Sequence, residues 1–551
     1  MPMTTRAFGG ENNEYGEKSG FGGPDDLASV SNAEGRDLLA GQDIDPVLTA
    51  KMRIINDVRR LLQSQKPRAQ GNMTDEAKAI DEIGWTPYHW RLFVLNGFGY
   101  AVDSQLLLLQ SIIATQASYE FSPSYPRALT VAANFGMLVG ALFWGLGADM
   151  VGRRLAFNLS LFICSISTIA AGAAPNWIAL ASMVAMVGFG GGGNLTMDMT
   201  VLVEYLPSNK QWVLAWLASW WGLGQAFAGF IAWGFLPRKK WNCRNPFDDN
   251  DIRASTCHKY DNVGWRYFMY TSGAMVFIMS IARVTVIRLQ ETPKYLLSEG
   301  KDAQLVADFQ IMAIKYNRSC SITFDMLDAC GAINSIRGPS KSSIPGLSVH
   351  FRGLFATHTL ALSTSLIWLS WTLTGLAYPL FYLSLNSYLA SRGADFGVAS
   401  DFEKWRNYAL VNISSIPGPM LAGYMCNRRL LGRKYTMVIG ALTTTAFFFA
   451  FPQVRTQAQK VGFSCAMGFT YSVFYGTLYA YTAEVLPSAH RGTGHGVAVA
   501  CNRAMGILSA VMATHADITT SVPIYVCAAL YIAMAAVAIA FPLEPYGKRS
   551  S

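Results

Sequence analysis

Apolar stretches long enough to cross a bilayer recur twelve times along this chain. They lie near 92–115, 128–148, 155–174, 177–203, 212–236 and 267–287 and, after a long polar interval, near 355–385, 407–426, 435–452, 461–482, 494–515 and 522–543. Crossing the hydrocarbon core as a helix takes about 20 apolar residues. Inside lipid the backbone must satisfy its own polar groups, so each stretch is expected to be helical. Composition agrees, because 51% of the 551 residues are hydrophobic and only 14% are charged, too apolar for a soluble chain of this length. The expected fold class is an all-α integral membrane protein with 12 transmembrane helices.

The formal net charge of +9 is scattered through loops and tails rather than striped along one helix. That pattern speaks for membrane orientation and against nucleic-acid binding. In the short loops, one side carries Arg153, Arg154, Lys210, Arg428, Arg429, Arg433, Lys434 and Arg491, and the other carries Arg127, Arg455 and Lys460. The first side is expected in the cytosol, and an even helix count places both termini and the central polar interval there too. The loop from Pro237 to Gly264 then faces outward in spite of Arg238, Lys239 and Lys240. On that oxidising side Cys243 and Cys257 either bridge or stay free. Cys164, Cys426, Cys465, Cys501 and Cys527 lie in apolar runs, where a thiol behaves as a small hydrophobe.

The first 80 residues hold no continuous apolar stretch, so no cleavable leader is expected. Residues 1–44, rich in Gly, Asn, Ser and acids, read as disordered. Residues 45–64 place Val47, Met52, Ile55, Val58 and Leu62 near helical spacing, which reads as a solvated helix or, alternatively, a membrane-surface or partner helix.

Two motifs recur at one offset. Gly152-Arg153-Arg154 returns as Gly432-Arg433-Lys434, and Glu204-x-Leu-Pro207-Ser returns as Glu484-x-Leu-Pro487-Ser, each 280 residues later. A shared offset indicates duplicated halves, and a six-plus-six duplication with both tails inside resembles the parallel-repeat plan of the major facilitator superfamily. Gly145-x-x-x-Asp149-x-x-Gly152-Arg153-Arg154 is similar to that superfamily's signature after its second helix, with Met150 where arginine is usual. The second copy has Asn427 at the aspartate position and two extra residues before Gly432. "QETPKYLLSEGK" (290–301) and "PLEPYGK" (542–548) resemble elements of sugar porters. "AEVLPSAHRGTG" (483–494), "CNRAMG" (501–506) and "IGWTPYHWRLFVLNGFGYAVDS" (83–104) resemble organic-ion and synaptic-vesicle-type transporters.

The resemblance implies two pseudo-symmetric six-helix bundles that move a solute by alternating access. It implies a cytosolic gate of Gly145, Asp149, Gly152, Arg153, Arg154, Glu204, Glu291, Arg433, Glu484, Arg491 and Glu544, a charge network that breaks when the molecule opens inward. A carboxylate such as Asp149 is favoured near a helix N-terminus, here the start of the eleventh helix at Gly492 to Gly494. Departures narrow the substrate. "WTLTGLAYPLFY" (371–382) lacks the paired glutamines of hexose carriers, Asn194 stands where phosphate symporters carry aspartate, and "WWGLGQAFAG" (220–229) lacks the proline motif of many drug exporters.

A charge at mid-bilayer costs roughly 2.5 to 3.5 kcal/mol, so intramembrane charges are candidates for function. Asp103 in the first helix is the foremost, for proton carriage or a substrate cation. Arg503 in the eleventh is suited to a substrate carboxylate. An ion pair between the two is the competing structural role. Asp198 and Asn194 share one face of the fourth helix, and Gln105, Asn502, Tyr378 and Tyr382 complete the candidates, with packing as their alternative. "GFGGGGN" (188–194) lacks the Gly-Lys-Ser/Thr of a phosphate cradle and reads as close helix packing. His490 and His495 are not spaced for a metal, and no nucleophile with its base is present, so neither metal, cofactor nor enzymatic chemistry is expected.

The expected organisation is a cytosolic tail at 1–82, a first bundle at 83–288, a cytosolic loop at 289–353, a second bundle at 354–543 and a short tail at 544–551. The expected function is secondary transport of a small polar or carboxylated solute, by proton symport through Asp103, in a monomer in contact with lipid in the plasma membrane. An exporter of a toxic metabolite and a non-transporting nutrient sensor are the alternatives.

Overall fold

The structure, a computed structural model, describes residue 51 and residues 79–151, 153–243, 257–287, 292–298, 300–328, 351–391, 401–487, 490–515 and 520–546, all within one compact unit, Asp43–Ser551. Gly152, Glu291, the side chains of Asp149 and Tyr382, residues 1–44 and all of 45–64 except Lys51 lie outside the described residues.

Among the described residues eighteen α-helices follow one another and no strand occurs. They are α1 (Ala79–Ile83), α2 (Pro87–Phe121), α3 (Ala128–Val151), α4 (Arg153–Gly172), α5 (Trp177–Tyr205), α6 (Val213–Leu217), α7 (Ser219–Phe235), α8 (Gly264–Ala282), α9 (Pro293–Ser298), α10 (Asp302–Tyr316), α11 (Phe324–Asp328), α12 (His358–Ser391), α13 (Asp401–Ser414), α14 (Pro417–Cys426), α15 (Gly432–Ala450), α16 (Gln457–Val485), α17 (Arg491–His515) and α18 (Val522–Ala540). Among the described residues, nine helices are long and apolar enough to cross a membrane. The other three apolar stretches are α6 with α7, α13 with α14, and α16, which carries Tyr471, Tyr475, Tyr479 and Tyr481. The chain is thus an all-α, multi-pass membrane protein.

Two of the stretches expected as single helices are broken. The fifth parts at Ala218, between α6 and α7. The eighth parts ahead of Pro417, whose ring has no N–H to donate and crowds the turn before it. The sixth continues from α8 into a π turn at Arg283–Ile287.

The glycine-rich run of α5 shows why lipid-embedded helices use small residues. A Cβ at Gly136 or Gly140 of α3 would lie 1.9 and 2.0 Å from the carbonyl oxygens of Ala185 and Phe189, and one at Gly188 or Gly192 of α5 would lie 2.4 Å from those of Ala133 and Met137. Each helix therefore seats its glycines on the other's backbone, so the gain comes from van der Waals contact at close range.

Ion pairs tie the ends. At one end Arg266 pairs bidentately with Glu120 (2.8 and 2.9 Å) and donates to the carbonyl of Ala174. The Cys243–Cys257 disulfide closes the neighbouring loop. The opposite end, here the basic end, carries the Gly-Arg-Arg and Glu-x-Leu-Pro motifs. There α9, α10 and α11 build a small core in which Leu296, Leu297, Leu305 and Phe309 pack with Ile80 and Ile83. Lys51 pairs with Asp302 of α10.

Candidate functional site

The basic end is closed by paired charges from both halves. Arg153 donates to Glu204 and, at 3.0 Å, to Thr292. Arg491, which also holds the carbonyl of Leu486, reaches the other oxygen of Glu204 at 3.3 Å. In the second half Arg433 donates to Glu484 at 2.9 Å and to the carbonyl of Cys426. Glu544 accepts from the backbone N–H groups of Arg433 and Lys434, both at 3.0 Å, and so caps the start of α15. Arg153–Glu204 and Arg433–Glu484 are each 51 residues apart, which is the repeat seen in three dimensions. Gly145 meets the start of α17, since its Cβ would stand 2.8 Å from the carbonyl of Gly492 and 3.0 Å from the Cα of Gly496. Arg154 is exposed and joins none of these pairs.

Asp103 is fully buried in α2. Asn194, Asp198, Arg283 and Arg503 lie within electrostatic reach, but neither carboxylate oxygen has a well-formed hydrogen bond among the described residues. The ion pair with Arg503 that the sequence allowed is not formed. Arg503 is 8% exposed and stands beside Tyr475, and its Nε and Nη2 have no partner among the described residues.

Arg283 instead pairs with Asp198. It was not a candidate in the sequence, although an arginine inside the sixth apolar stretch was the available signal. From the π turn it donates to Asn194 Oδ1 at 2.7 Å and to the Phe157 carbonyl at 3.0 Å, lies 3.5 Å from Asp198 Oδ1, and sits 3.5 Å from the Phe157 ring centroid. Asn194 in turn donates to Asp198 Oδ2 at 3.1 Å and to the Gly99 carbonyl at 3.2 Å. Asn194 and Asp198 thus share one face of α5 and meet α2 and the π turn after α8 there. Gly99 is the only residue type that fits, because a Cβ would lie 2.3 Å from Asp198 Oδ2 and 2.6 Å from Arg283 Nη2.

Aromatic rings line the junction between the halves. Tyr100 of α2 packs on Tyr479 of α16 at 5.5 Å between centroids, and Trp221 of α7 packs on Tyr475 at 5.8 Å. Trp371 of α12 meets Tyr479 at 4.4 Å and His495 of α17 at 5.5 Å. The Tyr475 and Tyr479 hydroxyls are 2.9 Å apart. Tyr378 stacks on Tyr471 at 4.8 Å, beside this box. Asn502 donates to the carbonyl of Trp371, a packing contact between α17 and α12. Both amide atoms of Gln105 are buried without a partner among the described residues. Neither Arg283 nor the aromatic box was among the candidate residues drawn from the sequence.

The chain matches the Major Facilitator Superfamily family model over residues 92–510 and 360–550. It is 37% identical over 535 residues to "MFS siderochrome iron transporter 1" of Ceriporiopsis subvermispora (strain B), covering 96% of this chain and 97% of that protein. It is 26% identical over 447 residues to "Niacin transporter NiaP" of Acinetobacter baylyi, covering 80% and 90%. The fold is similar to that of the proton:xylose symporter XylE bound to 6-bromo-6-deoxy-D-glucose, with a TM-score of 0.59 at 14% identity over 84% of this chain and 98% of that one.

Proposed function

The chain belongs to the major facilitator superfamily and transports a small-molecule solute across a membrane; from that premise we propose that it is a proton-coupled symporter of a carboxylated organic solute. The carrying observation is Arg503, a buried guanidinium at the junction of the halves whose Nε and Nη2 have no partner among the described residues. A planar donor fork is the group best matched to a carboxylate. Among the described residues the centre otherwise balances, with Asp103 and Asp198 facing Arg283 and Arg503. A bound anion adds one negative charge where charges are poorly screened. Protonation of Asp103, which has no well-formed hydrogen bond, restores neutrality, so proton and anion load together. The excess of Lys and Arg in the loops of the basic end supports a cytosolic face for it, and the plasma membrane is the proposed location.

The names of relatives give the reading two reference points. Niacin is an aromatic carboxylate, in keeping with a guanidinium reader, and a siderochrome is a far larger iron chelate that serves here as the competing cargo. The test is uptake into proteoliposomes of radiolabelled nicotinate, benzoate and a ferric hydroxamate, with the outside at pH 5.5 or 7.5. Uptake of a carboxylate that rises with the proton gradient and is abolished in Asp103→Asn and Arg503→Ala is expected. Uptake indifferent to both variants, or confined to the ferric chelate, would reject this reading.

A further inference from the structure

His495 and the aromatic box name the solute more closely, on the premise of the carboxylate reading just given. His495 is fully buried one turn into α17, four residues after Arg491, and neither ring nitrogen has a partner among the described residues. Leaving a polar group buried and unpaired costs about 1 to 3 kcal/mol. A residue serving packing alone between Trp371 and Tyr479 would be phenylalanine at no such cost. The imidazole therefore keeps its donor and acceptor for something that enters the box, as do the unpartnered nitrogens of Arg503.

The two readers are separated along one helix. Eight residues at a rise of 1.5 Å put their Cα atoms about 12 Å apart. Tyr479 touches the His495 ring at 5.8 Å and lies within electrostatic reach of Arg503, so one surface of rings connects them. Tyr100 and Trp221 face that surface from the other half and separate from it when the halves part. A flat ring with a hydrogen-bonding group at each end suits two polar readers joined by one surface of rings. Aromatic faces favour an aromatic solute over a saturated one of equal size.

We infer that the centre takes an aromatic monocarboxylate bearing a hydrogen-bonding group opposite the carboxylate, with His495 as the residue that reads that group. Arg503 holds the carboxylate, the box holds the ring, and His495 sets specificity.

The experiment measures binding to the purified full chain by tryptophan fluorescence, and proton-driven uptake in proteoliposomes. The probes are 4-hydroxybenzoate, benzoate, cyclohexanecarboxylate and 4-hydroxybenzamide. One hydrogen bond of average strength corresponds to about tenfold in affinity. The expected order is 4-hydroxybenzoate about tenfold tighter than benzoate, benzoate tighter than cyclohexanecarboxylate, and no binding of the uncharged amide. His495→Phe should collapse the ratio of 4-hydroxybenzoate to benzoate affinity from about tenfold to about one, with a melting curve of the purified variant showing that it is folded. His495→Ala, run in parallel in case phenylalanine does not fit, should lose the same preference. A preference that survives in both variants, or cyclohexanecarboxylate equal to benzoate, overturns this inference and leaves the carboxylate reading standing. Absence of proton-driven uptake for all three acids overturns the carboxylate reading itself.

Discussion

Arg491 of the second half donates to Glu204 of the first at 3.3 Å, whereas the position 280 residues before Arg491 is Gln211. Each half has its own arginine–glutamate pair, Arg153 with Glu204 and Arg433 with Glu484. Within these pairs only Glu204 also receives a cation from across the junction, and Glu484 Oε2 has no partner among the described residues. The repeat is thus symmetric within each half and asymmetric between them, because uncharged Gln211 stands where the second half has Arg491.

Arg491→Gln should therefore favour conformers open at the basic end. A hydrogen bond to a charged group is worth about 1.5 to 3 kcal/mol, a population shift of roughly tenfold or more. Spin labels at Arg154 and Arg429, both exposed at that end, would report it as a longer distance population in pulsed EPR. Gln211→Arg should act in the opposite sense by offering Glu484 a partner, and should slow turnover.

Arg283→Met removes the cation beside Asp198 and leaves a carboxylate buried among helices. Breaking a buried pair in this way costs about 3 to 5 kcal/mol. The expected result is a large fall in melting temperature in detergent, partly recovered in the Arg283→Met/Asp198→Asn double variant. Simple addition of the two single effects would show that the groups do not interact.

Gly99→Ala tests the tightest point of the same cluster. Its Cβ would be 2.3 Å from Asp198 Oδ2, so the carboxylate must move off Asn194 and Arg283. Loss of uptake is expected, with expression retained. Gly147→Ala is the matched control, since nothing lies within 4 Å of the added carbon, and alanine within a helix is favoured over glycine by roughly 0.5 to 1 kcal/mol. A Gly147 variant as impaired as the Gly99 variant would point to general intolerance of these helices.

Gly140→Leu should separate α3 from α5, because even the first added carbon would lie 2.0 Å from the Phe189 carbonyl. Overpacking costs about 1 to 3 kcal/mol or more. The melting temperature should drop while the isolated cluster at Asp198 keeps its composition, so binding per folded molecule is preserved.

Much of the architecture was legible in the chain because it follows from local rules. The twelve apolar stretches report the bilayer directly, and the 280-residue offset relates the pair Arg153–Glu204 to the pair Arg433–Glu484. Asn194 and Asp198, four residues apart, were placed on one face by helical periodicity alone, and their side chains do meet at 3.1 Å. The breaks at Ala218 and before Pro417 were missed, as hydropathy does not register a helix that changes direction. The Gly-rich run of α5 is a packing surface, its Gly188 and Gly192 seated against the backbone of α3.

What the sequence determined by itself is therefore the class, the repeat and the inventory of charges, all set by periodicity and by the cost of burying charge in lipid. Which charges become partners was decided only in the tertiary structure. Asp103 and Arg503 invited pairing as the salient charges of two helices, yet Arg283, from a π turn in a third, pairs with Asp198, and among the described residues Asp103 and Arg503 do not pair with each other. Likewise, Tyr100, Trp221, Trp371, Tyr479 and His495 stand far apart in the chain and in no recognisable spacing. They form one box because five helices from two halves converge there, and no local rule encodes the meeting point of five helices.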